Sequence, residues 1–389
     1  MSSNFTVKGQ DWFKSTISID DAIDKVCDAK RQRNDIMVPL KSASIGLDAS
    51  QENITVTIDG MDYVPTFHAL KQMATIMDVS HSVLRQYSEP KLKANKTVRY
   101  ERDATDRQLL VALFKNGIRD GRVDPEKNFR FRTYTDGTLR AMLTEKYAIV
   151  DNVWYLEQIK DIFKNIGGDE PRFCHWRGNA DTLYGNMVLP DTVYQGDDSD
   201  YGGMLSISNC EIGKRRLSIL PSVFRSICTN GMIFGQEAGE KFSQVHLGNI
   251  DLSLLYTRIV KNINDTLPIL KDGMASFMEM RNRTLKTSPS KMLAQIAQDY
   301  KLSIGNSGQA AAAVSEYATH ETGYNNLFGI VNAITRAAQT FDPDQHVRME
   351  EVAGNLMSFG ETEWDAYNVR ANSMSDKVYN KTYGIVVAT

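Results

Sequence analysis

Apolar side chains recur along the chain with two periods, and the period predicts the element in each stretch. Ile19, Ala22, Ile23, Val26 and Cys27 form a stripe at helical spacing behind Ser18. With Asp21 three residues on, Ser18 predicts a capped helix start. Residues 41–53 are rich in Ser, Asp, Asn and Gly and read as a loop or linker. Alternation then takes over: Ile54–Ile58 and a return strand from Tyr63 flank the hairpin signal Asp59-Gly60. From Thr66 to Leu84 the helical period returns as two short helices around Met77-Asp78. As a helix-turn-helix, the second would offer His81, Ser82, Arg85 and Gln86 to a DNA major groove. As a plain pair, both pack on the adjoining sheet, and the absence of a turn glycine favours that reading.

In 129–134 the alternation is clean, with Phe129, Phe131 and Thr133 on one face and Arg130, Arg132 and Tyr134 on the other. Asp136-Gly137 turns the chain, and 139–143 returns, adding Arg140 to the cationic face. A helix over 153–166 follows Asp151-Asn152, and 172–177 and 182–189 read as further strands. In 204–209, Leu205 and Ile207 alternate with Ser206 and Ser208. After a turn at 211–213, Leu217 and Ile219 fall on one side, and Lys214, Arg216 and Ser218 on the other. Pro221 suits a helix start, with Val223, Phe224, Ile227 and Cys228 at helical spacing and Asn230-Gly231 as its stop. Past His246 the pattern is helical: 250–286, broken or kinked at Pro268, then 290–302, 309–320, 325–341 and 349–357, with Asp342-Pro343 as a stop. Trp364, Tyr367, Tyr379 and Tyr383 predict a tail that docks on the rest.

These elements predict an α+β fold. A mostly antiparallel sheet with flanking helices fills the N-terminal and central parts, and an α-helical C-terminal region follows. The expected division is 1–53 (N-terminal helix and linker), 54–248 (α+β core) and 249–389 (helical region).

Composition narrows the function classes. The 389 residues are 42% hydrophobic and 24% charged, with a net charge of -3, which fits a globular protein and excludes a uniformly basic surface. A local basic groove remains compatible with it. There is no apolar segment of signal-peptide length at the N-terminus and no run of roughly 20 apolar residues, so a cytoplasmic protein without a membrane partner is expected. Cys27, Cys174, Cys210 and Cys228 are widely spaced and predict neither a disulfide framework nor a zinc ribbon. Cys174-His175 is the one adjacent thiol and imidazole, and strand alternation would place the two on opposite faces.

Three segments carry a family resemblance: SNCEIG (208–213), RSICTNG (225–231) and TEKYAIVDN (144–152). They resemble the signature segments of the phage/plasmid-like family catalogued as domain of unknown function 932, over roughly residues 60–250. The resemblance implies a phage or plasmid origin, and with it the host-cell cytoplasm, but no activity.

No Walker A loop, dinucleotide fingerprint, HExxH or nucleophile elbow is present, which weakens an enzyme reading, and no cofactor or metal is expected. Glu145, Asp151 and Glu211 are the carboxylates a metal-dependent nuclease would use. The plainer readings are a helix N-cap for Asp151 and, for Glu211, an internal ion pair with a nearby arginine such as Arg225 or Arg215. Arg130, Arg132, Tyr134, Arg140, Lys214 and Arg216 form a candidate cationic and aromatic face, with Trp176 and Arg177 nearby. Residues 91–102 are the most cationic stretch. Such a face suits single-stranded nucleic acid, held by cations on phosphates and aromatics under bases. The expectation is a single-stranded DNA-binding or annealing protein of phage replication or recombination, with homo-oligomerisation through the helical region. The competing class is a protein that binds a host or phage partner, with the arginines at its interface.

Overall fold

The computed structural model describes residues 16–88, 92–93, 96–97, 104–167, 169–178, 181–195, 200–225, 230–233 and 242–384. In chain order the strands are β1 (Ile17–Ser18), β2 (Arg33–Pro39), β3 (Ala43–Leu47), β4 (Ile54–Ile58), β5 (Met61–Pro65), β6 (Leu92–Lys93), β7 (Lys96–Thr97), β8 (Asn128–Tyr134), β9 (Thr138–Thr144), β10 (Arg172–Gly178), β11 (Thr182–Val188), β12 (Tyr194–Gln195), β13 (Asp200–Cys210), β14 (Leu217–Arg225), β15 (Asn230–Ile233) and β16 (Phe242–Gln244). The helices are α1 (Ile19–Lys30), α2 (Phe67–Ile76), α3 (His81–Ser88), α4 (Ala104–Arg119), α5 (Asn152–Ile166), α6 (Leu252–Glu279), α7 (Pro289–Asp299), α8 (Gln309–Glu316), α9 (Leu327–Ala338), α10 (Pro343–Met357), α11 (Glu361–Asn372) and α12 (Asp376–Tyr383).

Two larger sheets organise them. The first has the order β2-β8-β9-β5-β4-β3 and is antiparallel except for β5 beside β9. The second runs β1-β10-β11-β13-β14-β15, with β12 added to β13 and β16 to β14, and is antiparallel throughout. The fold is therefore α+β, with mostly antiparallel strands and a helical C-terminus.

Buried side chains form two main cores. One joins the first sheet to α2 and α4 through residues such as Phe131, Leu70 and Phe114. The other joins α1, α5, the second sheet and the C-terminal helices, with Ile19, Leu156, Ile207, Ile259, Phe328 and Trp364 in one cluster. The C-terminal helices thus share a core with the central strands, and neither core begins or ends at residue 53 or 248.

Local sequence explains much of this. Ser18 and Asp21 form the reciprocal cap of α1, with the Asp21 amide donating to Ser18 Oγ at 3.0 Å and the Ser18 amide to Asp21 Oδ2 at 3.2 Å. The structure departs from the local reading in four places. Residues 41–53, read as loop, contain β3, which pairs with β4 from Ala43↔Ile58 to Leu47↔Ile54. Pro221 starts no helix and instead lies inside β14 opposite Leu205. A strand proline lacks a ladder donor. On its other side, β14 pairs with β16 at 217–219 and with β15 at 222–225, so Pro221 falls where the neighbouring strand changes. Pro268 does not break α6; it lies on the exposed side while Ile259, Ile263, Leu270 and Phe277 are buried, so packing carries the helix through. Asp342-Pro343 starts α10 as well as ending the turn after α9: Asp342 Oδ1 accepts the Gln345 amide at 3.1 Å, and Pro343 takes the first helical position, where no donor is needed. The aromatic tail docks as expected, with Trp364 buried and its indole donating to Thr284 O at 2.9 Å.

Candidate functional site

β13 and β14 place Leu205, Ile207, Leu217 and Ile219 in the larger core and bring the Ser208 and Ser218 hydroxyls within 2.8 Å on the other face. Their connecting turn, 211–216, leaves the second sheet and inserts against the first, where Ala141, Leu143, Cys210 and Ile212 form a small core of their own. Each residue of the turn's first half is fastened. Ile212 O accepts from His68 Nε2 at 2.7 Å and from Gln72 Nε2 at 2.8 Å, both on α2. Because that carbonyl only accepts, His68 Nε2 carries the proton, and burial lowers the ring's pKa. Tyr147 OH donates to Cys210 O at 2.7 Å and accepts the Gly213 amide at 3.0 Å. Gly213 has φ of 80°, a left-handed conformation that glycine adopts freely.

Glu211, 1% exposed, is the centre of the fastening. Its carboxylate takes Arg33 Nη1, Arg132 Nη1 at 3.0 Å and the Asn152 amide at 2.7 Å. Arg132 also grips Asp35 with two bonds, 2.8 and 2.9 Å long. Burial works against the Arg132 charge, but Asp35 and Glu211 hold its pKa above the ordinary value. Burial pushes the Glu211 carboxyl up against the pull of Arg33 and Arg132. Asn209 Nδ2 reaches Val150 O at 2.8 Å and Asn152 Oδ1 at 2.9 Å. Segments 144–152 and 208–213 are therefore one structural unit, the joint between the sheets.

This joint corrects the predicted cationic face. Arg132 is 0% exposed and belongs to the joint, not to a solvent-facing surface. Tyr134 is also buried, donating to Asp181 Oδ1 at 2.8 Å. Arg140 lies over the Tyr134 ring at 4.6 Å and pairs with Asp136 at 3.0 Å and Asp181 at 3.5 Å. Alternation identifies that face rightly, but the face meets the second sheet. Glu211 pairs with Arg33 and Arg132, whereas the Arg225 side chain lies outside the described residues, as do the side chains of 91–102 and those of Arg85 and Gln86. Arg130 is half-buried on β8 near Asp35. Arg177 caps the turn after α9, donating to Phe341 O and Gln339 O at 2.9 Å each, and Trp176 packs on Phe173. The helix pair α2–α3 packs on the first sheet through α2, as expected of a plain pair.

What remains open to solvent is the second half of the turn. Lys214 and Arg216 are exposed and Lys71 of α2 is half-buried. None of the three has a carboxylate partner among the described residues. They rim two clefts that share Lys214. One, of ≈ 480 Å³, lies between α2, β9, the turn and residues 245–247, with Ile76, Leu143, Tyr147, Val245 and Leu247 in its walls. The other, of ≈ 350 Å³, is more polar and is lined by His68, Lys71, Arg140 and Asp181. Tyr147 stacks on His246 with ring centroids 5.3 Å apart and planes 13° from parallel.

A second cluster escapes the periodic pattern. A β-bulge between Phe173 and His175 breaks the alternation, so Cys174 and His175 both contact the face carrying Tyr184, Asn186 and Met204. There Glu350 of α10, fully buried, accepts Tyr184 OH at 2.6 Å and Asn186 Nδ2 at 3.0 Å, and lies 3.0 Å from His346 Nε2. The His175 ring lies 4.8 Å from that of His346. Burial first, then His346 and Arg177, lower the His175 pKa to about 4, and burial pushes the Cys174 thiol up. A thiol held protonated is a poor nucleophile, so the half-buried Cys174 reads as packing. In the sequence the cluster is signalled by the adjacent Cys174-His175 and by the helical spacing of His346 and Glu350. No three His, Cys, Asp or Glu side chains among the described residues gather to hold a metal ion. Asp151 caps α5 at the Val153 amide, Glu145 accepts from Asn128, and Glu211 is occupied by arginines. No helix among the described residues is long and apolar enough to cross a membrane.

No curated protein and no solved structure matches the chain. One family model matches residues 141–378, more than half of the chain, from β9 through the C-terminal helices. It contains all three signature segments, starts at residue 141 where the resemblance starts near 60, and reaches well beyond residue 250, where the resemblance ends. The joint built by 144–152 and 208–213 thus lies inside the matched region, and the chain belongs to the family described as Domain of unknown function (DUF932).

Proposed function

We propose that this chain binds nucleic acid, single-stranded DNA before duplex, along the rim formed by Lys71, Lys214 and Arg216, and that it holds or anneals strands in phage-type replication or recombination. The observation that carries the reading is that none of those cations has a carboxylate partner among the described residues, Lys71 resting over the Phe67 ring at 4.3 Å, beside arginines that are matched with carboxylates. A cation without a carboxylate partner remains available, and a phosphodiester supplies the missing charge while releasing counterions. The two clefts on either side of Lys214 give the strand a path across the turn. In a phage setting the protein would work in the host cytoplasm, and strand annealing would involve several copies.

The test is fluorescence anisotropy of labelled single-stranded and duplex oligonucleotides at two salt concentrations. Affinity for single strands should fall steeply with salt, and Lys214→Glu with Arg216→Glu should reduce the log–log salt slope by about 0.7 for each phosphate no longer neutralised. Absence of binding at low salt, or an unchanged slope in the double variant, overturns the proposal.

A further inference from the structure

We infer that the ≈ 480 Å³ cleft between α2, β9 and residues 245–247 receives one unstacked nucleobase, with the flanking phosphates on Lys214 and Arg216. This rests on the nucleic-acid reading above and gives the rim a reason to discriminate strands. The cleft's volume falls in the range of about 300–1,000 Å³ typical of small-molecule sites, and its lining combines apolar walls with polar groups. Ile76, Leu143 and Val245 supply apolar surface, and Tyr147 contributes an aromatic wall whose ring is held by the hydroxyl's two backbone bonds and by the His246 stack. Leu247, 64% exposed, is a large apolar side chain left in water at the mouth. An apolar recess bordered by unpaired cations matches a nucleotide, whose base is flat and weakly hydrated on its faces and whose phosphate is anionic. A phosphate-only site would have no use for the apolar walls, and a paired base in a duplex cannot enter without unstacking. The neighbouring polar cleft, edged by Lys71 and Lys214, suits the next stretch of backbone.

The experiment compares a labelled single-stranded oligodeoxynucleotide with a fully abasic strand of the same length and charge. With the native chain the base-bearing strand should bind about tenfold more tightly or better than the abasic one. Thr75→Trp, on an exposed position of α2 that lines the cleft, fills it without changing charge and should abolish the difference while leaving abasic binding intact. Leu247→Gln, at a position too exposed to matter for folding, should reduce the difference in the same direction. Equal affinity for base-bearing and abasic strands overturns the base pocket and leaves the cationic rim standing. A base preference that survives Thr75→Trp places it elsewhere and overturns this assignment. No binding of either strand at low salt removes both proposals together.

Discussion

Glu211→Gln tests how the two sheets are held together. The carboxylate is 1% exposed and is shared by Arg33, Arg132 and the Asn152 amide. Glutamine keeps the shape and can still accept from Asn152, but it removes the charge. Arg132, 0% exposed, is then left with Asp35, and Arg33 with Asp151 at 3.5 Å. Removing one partner from a buried ionic group costs about 3–5 kcal/mol, because the remaining charge stays desolvated. The hydrogen bonds that glutamine retains put its cost near the lower end, about 3 kcal/mol, and Glu211→Ala, which also orphans the Asn152 amide, near the upper end. Urea unfolding measures this, with the midpoint moving at unchanged slope. Arg132→Met adds a cycle: the double variant with Glu211→Gln should cost at least about 1 kcal/mol less than the sum of the singles. A loss below about 1 kcal/mol for both single Glu211 variants, or full additivity with Arg132→Met, refutes the joint.

Three further outcomes are expected. Gly213→Ala should destabilise by about 1–2 kcal/mol, since φ of 80° disfavours a side chain and the new Cβ would lie 3.3 Å from Gln72 Nε2; thermal unfolding reads it. His175, with an ordinary pKa near 6.5 and a folded value of about 4, is neutral in the fold where the unfolded chain takes up a proton. Its contribution to stability is therefore present above pH 6.5 and is lost as pH falls towards 4, by about 2 kcal/mol between pH 7 and pH 5. Urea midpoints at the two pH values should differ less in His175→Gln than in the native chain, and an equal difference excludes His175 as the source. Asp342→Ala should cost about 1 kcal/mol through removal of the α10 cap, measured by urea unfolding.

The elements themselves are largely legible in the sequence. Ser18 with Asp21, the hairpin at Asp59-Gly60, the alternation of Leu205 and Ile207 and the helical periods after 250 each depend on neighbours within a turn or a pleat, and the chain states those directly. The departures have separate causes. Local propensity misjudges Pro221 and Pro343, because a change of neighbouring strand decides the first and a capping aspartate the second. The alternation rule separates Cys174 from His175, and a bulge in the pairing with β11 brings them together.

For the site, sequence alone determined which side chains share a face: Arg130, Arg132 and Tyr134 opposite Phe129 and Phe131, and a cationic turn after SNCEIG. Only the tertiary structure decided which of those charges meet water. Glu211 finds Arg33 from 178 residues away and Arg132 from 79, and the turn that carries it buries Arg132 while leaving Lys214 and Arg216 outside. Periodicity is a property of neighbours along the chain, but the fate of a charge depends on which distant element covers it, and desolvation makes an arginine a brace in one place and a free contact in the other.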